Sequence, residues 1–292
     1  MKRDRIVVCL VVACMMAAVN FASADTIRGI DMDFVTIGNA GNAGDTRTGL
    51  DKYGRPLASP YGCGAVSYNY RIGKYEVTAT QWQTINTAAG IGDSGRWSGN
   101  QPVADISWYD AAQFCNYLTS GNKYSGAYQF DISGNFLSID RVSSISTYGT
   151  TYVIPTEDEW YKAAYFKPNA SGYSLYANGT NTAPIAGVNT NYDWAIGAPW
   201  DIITNGTPEQ NGTYDMMGNV VEWNETLLGI INRGLRGGLC TGDDDNLASS
   251  YRYGNNPNYE YKYLGFRVAS VPEPATVVLM SVGVMALLRR KR

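Results

Sequence analysis

The chain contains no histidine. That absence excludes Ser-His-Asp and Cys-His machinery, both of which need an imidazole to take the proton of the nucleophile. Charge is also scarce: Asp, Glu, Lys and Arg make up 17% of 292 residues, with 23 basic against 26 acidic side chains. Without a basic excess there is nothing to displace counterions from a phosphate backbone, so nucleic acid is not an expected partner. No internal repeat is visible, and the apolar runs are short and confined to the two ends. What is abundant is Gly, at 32 residues, and Tyr, at 22, which suits a loop-rich domain better than a helical one.

At the N-terminus Lys2, Arg3 and Arg5 precede an apolar run over residues 6–19, and Ala22-Ser23-Ala24 offers the small residues a signal peptidase needs. Residues 1–24 therefore read as a cleaved secretory signal, since the run is too short to span a bilayer comfortably. Cys9 and Cys14 leave with it, so the exported part keeps Cys63, Cys115 and Cys240, an odd number in an oxidising compartment. A Cys63–Cys240 bridge and three separate thiols both satisfy the sequence, and Cys115 falls on the apolar face of a helix, where burial accounts for it.

At the other end Pro272-Glu273-Pro274 leads into an apolar stretch, 275–288, closed by Arg289-Arg290-Lys291-Arg292. This tail resembles the PEP-CTERM sorting signal, which implies an exosortase of a Gram-negative-type bacterium as processing partner, transient membrane association through the tail, and export to the envelope or beyond. A retained C-terminal anchor is the alternative. Loss of both ends removes seven basic and two acidic side chains and leaves residues 25–270 near −8, a balance compatible with divalent cations. That length fits one domain with a sizeable core.

Three helices are expected. Thr78-Ala79-Thr80-Gln81 is a capping box opening a helix with Trp82 and Ile85; Ser107 caps a second with Ala111, Phe114, Cys115 and Leu118 on one face, stopped at Gly121; Thr156 caps a third with Trp160, Ala163 and Ala164, ending before Pro168. Segments 140–152 and 169–184 lack periodicity and read as surface loops or short hairpins. Asp243-Asp244-Asp245 reads as a solvated acidic loop.

The segment from Asp215 to Glu222 has a spacing that suits neither helix nor strand and reads as a cation-binding turn. Calcium takes six to eight oxygens, and Asp215 and Glu222 offer carboxylates while Gly218 and Val220 offer carbonyls. In chain order Tyr75-Glu76-Val77-Thr78, Pro102-Val103-Ala104-Asp105-Ile106-Ser107-Trp108, Ile154-Pro155-Thr156-Glu157-Asp158-Glu159-Trp160, Arg236-Gly237-Gly238 and Leu264-Gly265-Phe266-Arg267-Val268 accompany it. Together these motifs, over about residues 33–269, resemble the formylglycine-generating-enzyme (sulfatase-modifying factor) family.

The resemblance implies an α+β C-type-lectin-like fold and a second calcium site, matched here by Asn191 and Tyr192 with Asp201 and Ile203. It also implies two cysteines after an Arg-Gly-Gly segment that hold copper and activate oxygen against a peptide cysteine; Cys240 matches the first, and Ser250 stands at the second. A hydroxyl is a poor Cu(I) ligand, so copper is not expected. A family branch that binds iron through histidines is excluded by composition. The family disulfide at Cys115 would need a partner at Val268. The expectation is a non-catalytic, calcium-stabilised binding or structural module engaging extracellular polysaccharide or a protein; the alternative is a peptide-cysteine oxidase with an altered metal site.

Overall fold

The computed structural model describes residues 23–56 and 62–271. Most of the expected leader and the sorting tail from Pro272 onward lie outside the described residues. The last two leader residues, Ser23 and Ala24, open strand β1 (Ser23–Ile27), which pairs antiparallel with β2 (Ile30–Ile37). In β2, Ile30, Met32 and Phe34 alternate inward, as a half-buried strand requires. β3 (Tyr70–Gly73), the C-terminal strand β11 (Ala269–Val271) and β6 (Thr151–Val153) complete a five-stranded antiparallel sheet in the order β1-β2-β3-β11-β6. The two ends of the domain are thus held in one sheet.

Three helices form where local chemistry specifies them. α1 (Ala79–Ala89), α2 (Trp108–Ser120) and α4 (Glu157–Tyr165) each begin at a complete capping box, from Thr78, Ser107 and Thr156. Gly121 stops α2 at φ 80°, a left-handed position that costs glycine nothing. α1 and α2 lock together through Trp82, stacked on Phe114 at 5.6 Å, with Phe266 edge-on to Phe114 at 5.3 Å. Such aromatic pairs add about 1 kcal/mol each beyond the area they bury.

A second sheet, β10-β7-β8-β9, is built from β7 (Val221–Leu228), β8 (Asn232–Arg236), the three-residue β9 (Tyr253–Asn255) and β10 (Leu264–Gly265), the last running parallel to β7. β4 (Tyr128–Phe130) and β5 (Phe136–Ile139) make a separate hairpin.

Two segments differ from expectation. Residues 140–152, read as surface loop or short hairpin, contain helix α3 (Arg141–Tyr148), capped by Asp140 accepting from Ser143 N at 2.9 Å, followed by β6. Tertiary contacts hold this helix: Arg141 pairs with Glu159 at 2.9 Å and Glu225 at 3.0 Å. The acidic block is not a freely solvated loop but carries a short 3-10 turn (Asp244–Leu247), in which Asp244 accepts from Lys52 and Tyr53 while Arg55 donates to the Asp245 carbonyl at 3.0 Å. The cations that balance it come from a loop distant in sequence. Segment 169–184 forms no helix or strand beyond an isolated bridge between Phe166 and Tyr173.

Candidate functional site

The turn from Asp215 to Glu222 folds into the core. Asp215 and Asn219 sit at φ 57° and 59°, and a Cβ on Gly218 would fall 2.2 Å from the Asn191 carbonyl, so only glycine permits that approach. Asn219 N donates to the same carbonyl at 2.8 Å, and the Asn219 side chain donates to Glu76 at 2.7 Å. Asn191, Asp215 and the Gly218–Val220 backbone are therefore drawn together beside Glu76. Asp215 accepts from Trp200 Nε1 at 2.9 Å through one oxygen; its other oxygen, and Asn191 Oδ1, are buried without a hydrogen-bond partner.

Glu222 is differently committed. Its carboxylate takes the Arg267 guanidinium at 2.6–3.0 Å and Trp160 Nε1 at 2.7 Å, all fully buried. Arg267 is the main counter-charge for four buried carboxylates, Glu76, Glu209, Asp215 and Glu222. Burial first, and then neighbouring carboxylates, push Glu76 well above the usual range, Glu209 up to about 8 and Asp215 to about 7. The cluster is short of positive charge, a condition met by bound protons or by a cation. The orphaned oxygens of Asp215 and Asn191 are open to a cation, but among the described residues no group of three or more His, Cys, Asp or Glu side chains is placed to hold a metal ion, and Glu222 is already paired with Arg267.

The second predicted set is not assembled in the same way. Asn191 is fully buried and Tyr192 nearly so, its hydroxyl donating to the Pro184 carbonyl at 2.6 Å, whereas Asp201 and Ile203 are exposed on a turn closed by Thr204 N on the Asp201 carbonyl.

Cys63, Cys115 and Cys240 are all buried, the last two as free thiols. Cys240 is pinned by its backbone, its N–H donating to Asn219 O and its carbonyl accepting from Trp194 N, both at 2.9 Å. Burial pushes its thiol up to about 12, far from the thiolate that metal binding requires. Ser250 turns elsewhere: its hydroxyl donates to Asp51 at 2.6 Å. Against the effect of burial, that bond and those from Arg55 hold Asp51 down to about 2. The two positions do not fit a copper ion.

Neither residue lines the nearby cleft of about 190 Å³, which is built by their sequence neighbours Leu239 and Tyr251 with others. Val221 of β7, Leu235 of β8 and Leu264 of β10 floor it; Tyr251, Tyr253, Tyr259 and Tyr261 wall it; Asn246 and Asn255 stand in its lining. Alternation along β9 places Tyr253 and Asn255 on the same side. No charged side chain lines it. By contrast, a larger open cleft of about 630 Å³ along residues 39–48 contains the Asp45–Arg47 ion pair. The sequence reading missed Glu76, Glu209, Arg267 and the tyrosine cleft. Glu76 and Arg267 lay inside quoted motifs, and the alternating Tyr251, Tyr253, Tyr259 and Tyr261 in an Asn-rich stretch were the available signal for the cleft.

Comparison with known proteins agrees with this architecture. The profile of the sulfatase-modifying factor enzyme 1-like domain matches residues 42–271, and that of the PEP-CTERM protein-sorting motif matches 270–292. The chaperone protein LppX of Paenibacillus barcinonensis is 29% identical over 179 residues, a match covering 53% of this chain and only 61% of that protein. Among solved structures, Treponema denticola variable protein 1 aligns with TM-score 0.62 at 22% identity, over 86% of this chain and 99% of its own. PvdO from Pseudomonas aeruginosa aligns with TM-score 0.57 at 16% identity, over 82% and 94%. The fold is C-type-lectin-like.

Proposed function

The chain belongs to the sulfatase-modifying factor enzyme 1-like family, and on that premise we propose that it is a non-catalytic binding module, calcium-stabilised and displayed outside the cell, with the tyrosine cleft as its ligand site. The PEP-CTERM motif marks it for exosortase processing and export to the envelope; display at the outer surface or in the extracellular matrix is part of the proposal.

The observation that carries the reading is the pair Cys240 and Ser250. Cu(I) chemistry on a peptide thiol needs two soft ligands held together. Here one is a buried protonated thiol and the other a hydroxyl bonded to Asp51. Near those positions in sequence lies an uncharged aromatic cleft, a surface that can hold a ligand and whose ionisable side chains are tyrosines. Calcium stabilisation is supported by the orphaned oxygens of Asp215 and Asn191 within a carboxylate-rich core.

Incubation of the protein with copper, oxygen and a sulfatase-type cysteine peptide tests this. No mass change at the peptide cysteine is expected. Turnover that disappears in Cys240→Ser would contradict the reading and restore the oxidase.

A further inference from the structure

We propose that the ligand of the tyrosine cleft is an uncharged polysaccharide, bound one sugar ring at a time with its apolar face against tyrosine; this rests on the cleft being the ligand site. The first argument is size. Sites that enclose a whole small molecule measure roughly 300–1,000 Å³, and this one measures about 190 Å³. It accommodates one unit of something longer that continues across the surface.

The second argument is chemistry. A charged unit entering the cleft would be desolvated with no side chain to pair it, which is costly. The surround carries both signs, with Glu260 between two of the wall tyrosines and the Arg55 guanidinium 5.3 Å from the centre of the Tyr251 ring, so selection against charge rests on the uncharged lining itself.

The third argument is shape. A pyranose presents a flat face of C–H groups and an edge of hydroxyls. The cleft presents the same pair of properties: an aliphatic floor, phenol walls, and amides from Asn246 and Asn255 that can both donate and accept. Tyr259 and Tyr261 are stacked within 20° of parallel at 6.3 Å, and Tyr253 and Tyr259 are 54% and 43% exposed, so the platform extends outward from the cleft. Tyrosine supplies such rigid amphipathic area at small entropic cost. A peptide added as a strand would need a free sheet edge, and β9 is only three residues long.

Affinity electrophoresis of the exported protein through gels containing hydroxyethylcellulose, dextran, galactomannan or alginate, with an oligoproline peptide titrated separately, tests the proposal. Retardation by at least one neutral polymer is expected, weakened roughly tenfold in Tyr253→Ala and in Tyr261→Ala, the loss of about 1.4 kcal/mol of ring contact. Tyr261→Phe should keep most of it, and unchanged melting of the variants establishes that they fold. Binding to alginate or oligoproline alone, lost in the same variants, would leave the cleft as the ligand site and overturn the uncharged polysaccharide as its ligand. Neutral-polymer binding unaffected by the variants would overturn the cleft itself. No retardation by any neutral polymer overturns the proposal.

Discussion

Three carboxyl groups of the cluster around Arg267 have their pKa raised by burial, and the direction of that shift dictates how they make stability respond to pH. Glu76, Glu209 and Asp215 retain protons in the folded protein above the pH at which an unfolded chain loses them. Between those two values the native state binds more protons, so the slope of unfolding free energy with pH is negative. Their contribution is complete below about pH 4, the unfolded range, and is lost as pH rises through about 7 for Asp215 and about 8 for Glu209. In chelator, urea unfolding should therefore show stability falling from pH 5 to pH 8. Calcium should flatten that fall by neutralising the carboxylates, and at a hundred times Kd should add about 2.7 kcal/mol. Asp215→Ala should abolish most of the calcium effect, whereas an unchanged wild-type profile with and without calcium would remove the metal from the account.

At the scale of elements, α3 carries the clearest single test. Asp140 caps it through Ser143 N, and Asp140→Ala should lower the urea midpoint with unchanged slope. The same helix marks the limit of what local sequence reveals. α1, α2 and α4 were legible because their capping boxes are contained within four residues. α3, with the composition Arg-Val-Ser-Ser-Ile-Ser-Thr-Tyr, is poor in strong helix formers, and its anchors Glu159 and Glu225 lie far along the chain. The candidate site divides in the same way. Asp215 and Gly218 were readable from spacing, but the commitment of Glu222 to Arg267 and the assembly of the cleft from β7 to β10 depend on pairings no local window contains.

Across the whole molecule, one sheet holds both ends of the domain, and the match to the sorting motif begins at residue 270, within β11. A processing enzyme can act beyond Val271 without disturbing the β11 pairing to β3 and β6. Intact mass of the native protein should lack residues 289–292, and Glu273→Ala should leave a longer, membrane-retained form; native protein that keeps its basic end would show an anchor instead. The molecule as a whole has the family scaffold, with one thiol at Cys240 and a hydroxyl at Ser250 where the resemblance implies a thiol pair.

Competitive titration of the purified protein with Cu(I) against a chromophoric chelator tests that difference directly. The account predicts no stoichiometric binding, and acquisition of a site only if Ser250→Cys brings a second sulfur to Cys240. Tight one-to-one binding by the unaltered protein, lost in Cys240→Ser, would contradict it.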